Sequence, residues 1–82
     1  MLMITPQAIL YTRRGCCLCE QAKAQLERQG LRVEEIDIDG DPLLRQRYND
    51  CVPVVMIDGK ERFRGRVEER LLRRILRQRS GE

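Results

Sequence analysis

Two apolar runs, Ala8-Ile9-Leu10-Tyr11 and the segment from Leu31 to Asp39 with Val33, Ile36 and Ile38, bracket a stretch where Leu18, Ala22 and Leu26 recur every fourth residue. Short apolar runs suit strands and a four-residue repeat suits a helix, so the order is strand, helix, strand. Packed into about thirty residues, such a unit leaves few options: the second strand lies beside the first, parallel to it, after a right-handed crossover. Cys17 to Gln29 is the expected helix, and Gly30 stands where a left-handed residue closes one.

The remaining chain completes a sheet around this unit. Asp41-Pro42 offers a capping side chain followed by a proline suited to a first helical turn. The short helix it opens should turn Leu43, Leu44 and Tyr48 toward the sheet and stop near Asn49-Asp50. Val52-Pro53-Val54-Val55-Met56-Ile57 is the most hydrophobic stretch and reads as a strand, with proline tolerable at its start. Asp58-Gly59 is a hairpin signal, so the strand around Arg62-Phe63-Arg64 should run back antiparallel. Val67, Leu71, Leu72, Ile75 and Leu76 form one stripe of a last helix, with arginines opposite. The expected architecture is α/β: a four-stranded mixed sheet with helices on both faces, in the order βαβ-α-ββ-α, as one domain over residues 1–82.

Composition narrows the function classes. With 41% hydrophobic and 35% charged residues the chain should fold. Tyr11, Tyr48 and Phe63 are its only aromatic residues, so no platform exists for stacking exposed bases, which argues against nucleic acid as a partner. Eight arginines follow from Arg62 onward (62, 64, 66, 70, 73, 74, 77 and 79) and read as a solvated helix face, partly favoured by the helix dipole, the alternative being a basic face that meets an acidic partner or nucleic acid. Met1 to Gln7 has no basic segment leading into a long apolar run, and no stretch reaches the roughly 20 apolar residues of a membrane span. A cytoplasmic monomer without membrane contact is expected, in a compartment where clustered cysteines are more often catalytic or metal-binding than structural.

The cysteines concentrate in Arg13-Arg14-Gly15-Cys16-Cys17-Leu18-Cys19-Glu20, between the first strand and the helix. There Cys16 meets unpaired backbone N–H groups and the positive end of the helix dipole, both of which favour a thiolate. The dipole contributes only about 0.3–1 kcal/mol, so Arg13, Arg14 and the loop N–H groups are expected to supply further support. Cys16 and Cys19, three apart, share one helix face and can approach disulfide distance, whereas Cys17 projects about 100° away. The chemistry expected is attack by Cys16 on a substrate disulfide and resolution by Cys19. A second reading makes Cys16, Cys17, Cys19 and Cys51 ligands of a soft metal, although histidine is absent and Cys51 stands alone. A coincidental pair of structural cysteines is the plain alternative.

Leu10-Tyr11-Thr12-Arg13-Arg14-Gly15-Cys16-Cys17-Leu18-Cys19 resembles the active-site segment of glutaredoxins, and Cys51-Val52-Pro53-Val54-Val55 resembles their Thr-Val-Pro segment. Cys-Cys-Leu-Cys-Glu is particularly similar to a branch of small bacterial glutaredoxin-like proteins. The resemblance implies a thioredoxin-like fold, a cis peptide bond at Pro53, and a position for Cys51 near the active site as an auxiliary thiol or a small buried residue. It also implies activity on disulfide-containing proteins or glutathionylated substrates without a bound cofactor. The reductant would be glutathione or a thioredoxin-reductase-like protein. Arg13, Val52, Pro53 and Glu68 become the glutathione-binding positions by the same analogy. The chain departs from the family in having Cys17-Leu18 where Pro-Tyr is usual and Gly65-Arg66-Val67-Glu68-Glu69 where Gly-Gly and acidic residues are usual. Asp50 also stands where neutral or basic residues are preferred.

Overall fold

A computed structural model describes residues 7–49 and 51–80, so Met1 to Pro6, Asp50, Gly81 and Glu82 lie outside the described residues. In chain order the elements are β1 (Gln7–Thr12), α1 (Cys17–Arg28), β2 (Arg32–Asp37), a 3-10 turn (Ile38–Gly40), α2 (Pro42–Tyr48), β3 (Val54–Ile57), β4 (Lys60–Arg64) and α3 (Glu69–Ser80). The strands form one mixed sheet in the order β2-β1-β3-β4. β1 and β2 are parallel, while β3 is antiparallel to both β1 and β4. Among the described residues no helix is long and apolar enough to cross a membrane.

Local signals explain most boundaries. Asp41 caps α2 by accepting a hydrogen bond from the Leu43 N–H at 2.9 Å, with Pro42 in the first turn. Asp58 and Gly59 both adopt positive φ, 54° and 78°, as the tight turn between β3 and β4 requires. β2 stops at Asp37, short of the expected Asp39, because the Asp37 carboxylate accepts the Asp39 N–H at 2.9 Å and bends the chain into the 3-10 turn.

The alternation of β1 and β3 divides the core between the two faces of the sheet. On one face Ala8, Leu10, Val55 and Ile57 pack with Ala22 and Leu26 of α1 and Leu72 and Ile75 of α3. On the other, Val54 packs with Ile38 and Tyr48, flanked by Tyr11 and Leu44, under α2. Helices therefore cover both faces. Three leucines expected in the core are instead exposed: Leu18 at 49%, Leu43 at 74% and Leu71 at 39%. In α1 the inward position next to the loop belongs to Cys19, one residue on, because the buried stripe runs Cys19, Ala22, Leu26. In α2 and α3 the inward arc is filled by Leu44 with Tyr48 and by Leu72 with Ile75, which leaves Leu43 and Leu71 outside it.

Candidate active site

The register carries several loops to one end of the sheet. Thr12 pairs with Asp37, Tyr11 with Val54, and Val54 with Arg64. The cysteine loop after β1, the 3-10 turn after β2, the segment before β3 and the chain leaving β4 thus share that end, where the parallel strands finish. Open α/β sheets commonly bind ligands at this end.

Cys16 is the N-cap of α1, in extended conformation, and its sulfur accepts the Cys19 N–H at 3.2 Å. Gly15 supplies the turn, with a φ of 78°. The sulfur is half-buried and lines a shallow pocket of about 360 Å³ together with Arg13, Arg14 and Glu20. Cys19 lies behind it, only 2% exposed. Burial pushes the Cys19 thiol upward and its hydrogen bond with Cys16 adds to this, while hydrogen bonds with the Thr12 side chain and the Arg13 backbone act less strongly in the opposite sense. The result is a half-buried sulfur at a helix start, backed by a buried thiol whose ionisation burial disfavours. Cys17 is exposed on the helix surface.

Arg13 is held in a clamp. Its Nε and Nη2 donate to both carboxylate oxygens of Asp39 at 2.9 and 3.0 Å, and its Nη1 and Nη2 donate to the Asn49 backbone and side-chain oxygens at 3.1 and 2.6 Å. This bidentate geometry ties the cysteine loop to the 3-10 turn and to the end of α2. The guanidinium holds the Asp39 carboxyl below the usual carboxylate range. Arg14 is exposed.

The Val52-Pro53 bond is cis, as the resemblance implied. The Pro53 carbonyl accepts the Gly65 N–H at 2.7 Å, which fastens this segment to the end of β4. Val52 and Cys51 are half-buried beside Tyr48 and Val54. The Cys51 sulfur accepts a hydrogen bond from Arg64 Nη1 at 3.5 Å, and the other Arg64 nitrogens bind Glu61 at 3.0 Å. Glu68 lies elsewhere, on a groove between α1 and the start of α3 that also includes Leu18, Gln21 and Arg66. Among the described residues no three His, Cys, Asp or Glu side chains are grouped so that they could hold a metal ion.

The structure thus brings Arg13, Arg14 and Cys16 around one pocket and sets Glu68 along another groove. Sequence reasoning did not single out Thr12 beside Cys19, Asp39 and Asn49 on Arg13, or Arg64 on Cys51. Thr12 adjoins the cysteine loop and could have been found there. The other contacts join residues 13 or more apart and leave no local signal.

The family model described as Glutaredoxin-like domain (DUF836) matches residues 7–77. A protein of Mycobacterium tuberculosis described as uncharacterized is 38% identical over 80 residues, spanning 87% of this chain and 82% of its own length. Glutaredoxin 3 of Escherichia coli is 30% identical over 56 residues, spanning 62% of this chain and 68% of its own. A solved structure of a structural-genomics target from X. campestris superposes with a TM-score of 0.73 at 30% identity, covering 87% of this chain and 96% of that one.

Proposed function

This chain belongs to the glutaredoxin-like domain family, and from that premise we propose that it is a thiol–disulfide oxidoreductase whose nucleophile is Cys16 and whose resolving thiol is Cys19. The observation that carries the reading is the half-buried Cys16 sulfur at the cap of α1, facing the Cys19 N–H with the buried Cys19 thiol behind it. The helix start presents donors to the negative charge that an attacking sulfur carries.

In the proposed cycle the Cys16 thiolate attacks one sulfur of a substrate disulfide. A Cys16–substrate disulfide forms, the substrate S–S bond breaks, and the leaving thiolate takes up a proton. Cys19 then loses its proton and attacks the Cys16 sulfur, forming a Cys16–Cys19 disulfide and releasing the second substrate thiol. The substrate gains two electrons and two protons, and the protein loses them. Glutathione, two molecules per cycle, or a reductase of the thioredoxin-reductase kind returns them. Arg14 and the Arg13 clamp support the loop electrostatically and mechanically. Cys19, 2% exposed and with its thiol pushed upward by burial, is kept from competing with Cys16 for substrate.

Mass spectrometry of protein trapped with a disulfide substrate tests the assignment. Oxidised wild type should carry a Cys16–Cys19 disulfide, Cys19→Ser should accumulate the substrate on Cys16, and Cys16→Ser should form no adduct. A Cys17–Cys51 bridge, or an adduct confined to Cys17, overturns it.

A further inference from the structure

Helix α3 carries five arginines against a single carboxylate, Glu69. That carboxylate is already engaged by Arg28 at 3.2 Å and Arg73 at 2.7 Å. Among the described residues no carboxylate pairs with Arg70, Arg74 or Arg77. At 100° per residue these three fall within about 60° of one another and span about 10 Å of helix. They point away from the buried Leu72 and Ile75. Helix stability accounts for Arg77, in the last turn, but not for the row as a whole. Like charges at i, i+3 and i, i+4 repel, and Arg70 sits in the first turn, where the dipole disfavours a cation.

The row adjoins the groove beside α1. Arg70, Leu71, Arg74 and Arg77 line a groove of about 460 Å³ whose remaining wall is Glu68. Glu68 also lines the groove of about 720 Å³ that includes Leu18, two residues beyond Cys16. Exposed Leu18 and Leu71 each add an apolar side chain to one of the two grooves. We infer that the two grooves together dock the disulfide-bearing protein substrate through an acidic amphipathic helical segment, with carboxylates at i, i+4 and i+7 meeting Arg70, Arg74 and Arg77 and aliphatic side chains meeting Leu71 and Leu18. The inference rests on the oxidoreductase reading and specifies its substrate class.

A helical partner repeats its side chains with the same period as α3, so three charge pairs can form in one register. Arginine, rather than lysine, supplies planar forks suited to carboxylates. A nucleic-acid backbone offers no aliphatic group to the exposed leucines, and no aromatic ring lines either groove for its bases to stack on.

The test uses a synthetic helical peptide with Glu at i, i+4 and i+7 and Leu beside them, joined by a flexible linker to a cystine. Its Gln analogue and a single-stranded RNA are the comparison probes. Binding is measured by fluorescence anisotropy on the Cys16→Ser, Cys19→Ser protein, with and without Arg70→Gln, Arg74→Gln and Arg77→Gln. The Glu peptide should bind at least about tenfold more tightly than the Gln peptide and weaken steeply with salt, and the three Arg→Gln changes should remove the difference. With both active-site cysteines present, kcat/KM for the Glu cystine should exceed that for the Gln cystine by about tenfold, and the Arg→Gln changes should erase this gap. Reduction of a small neutral disulfide should be unchanged by them. Circular dichroism checks that the triple variant folds. Equal binding of the two peptides, tighter binding of RNA, or a gap that survives the Arg→Gln changes overturns the docking inference. Failure of the wild type to reduce even the neutral disulfide refutes the oxidoreductase reading instead, and the substrate class falls with it; peptide binding then shows whether the arginine row recognises carboxylates at all.

Discussion

Cys16 has two separable roles, as sulfur nucleophile and as helix cap, and the substitutions Cys16→Ser and Cys16→Ala tell them apart. Its sulfur accepts the Cys19 N–H at 3.2 Å, satisfying one of the donors that the start of α1 leaves free. Removing an oxygen cap costs about 0.5–2 kcal/mol. Sulfur is a weaker acceptor, so the loss for Cys16→Ala falls in the lower half, about 0.5–1 kcal/mol. Against the net stability expected of 82 residues, about 4–12 kcal/mol, that is a measurable fraction. For a domain of this size it lowers Tm by about 2–6 °C. Cys16→Ser replaces the sulfur by a preferred cap and should be at least as stable as wild type, yet both variants should be inactive toward disulfides. Thermal unfolding followed by far-UV circular dichroism in excess reductant, beside a turnover assay, reads both roles. Equal Tm values for wild type and Cys16→Ala would show that the sulfur does not cap α1. Turnover by Cys16→Ser would show that it is not the nucleophile.

Two further outcomes follow from burial and charge. Leu26 is fully buried between α1 and the sheet, so Leu26→Ala should cost about 2–5 kcal/mol in urea unfolding, whereas Leu43→Ala, at a 74% exposed site, should change stability by less than about 0.5 kcal/mol. Similar losses at the two positions would mean that the core is misassigned. The Asp39 carboxyl is held below its usual range by Arg13, so its stabilising contribution is complete above the ordinary carboxylate range and disappears as pH falls through the lowered folded-state value. Urea midpoints measured from about pH 7 to about pH 2.5 should therefore fall less steeply in Asp39→Asn, and parallel profiles would refute the clamp's contribution to stability.

Much of this fold was readable residue by residue, because its boundaries rest on short-range chemistry. Asp41 caps the helix that Pro42 begins, Asp58 and Gly59 make the hairpin, and Cys16 stands at the start of α1. Each involves residues within a few positions, so the spacing in the chain is the spacing in space. Exposure was harder, because whether Leu18, Leu43 or Leu71 is covered depends on which arc of its helix meets the sheet. An apolar stripe wider than that arc leaves its edge outside, and in α1 a cysteine took the inward place.

The sequence by itself determined the order of elements, the parallel crossover that carries the cysteine loop and the position of Cys16 at a helix start, since all follow from periodicity and local capping. Only the tertiary structure decided that Cys19 is the buried thiol, that Arg13 is fastened to Asp39 and Asn49, and that Cys51 meets Arg64. It also decided that Glu68 joins the α1 groove to the arginine row of α3. The physical reason is the sheet register: pairing β1 with both β2 and β3 brings distant loops to one end, and a side chain's partners there are set by strand alignment that no local spacing encodes.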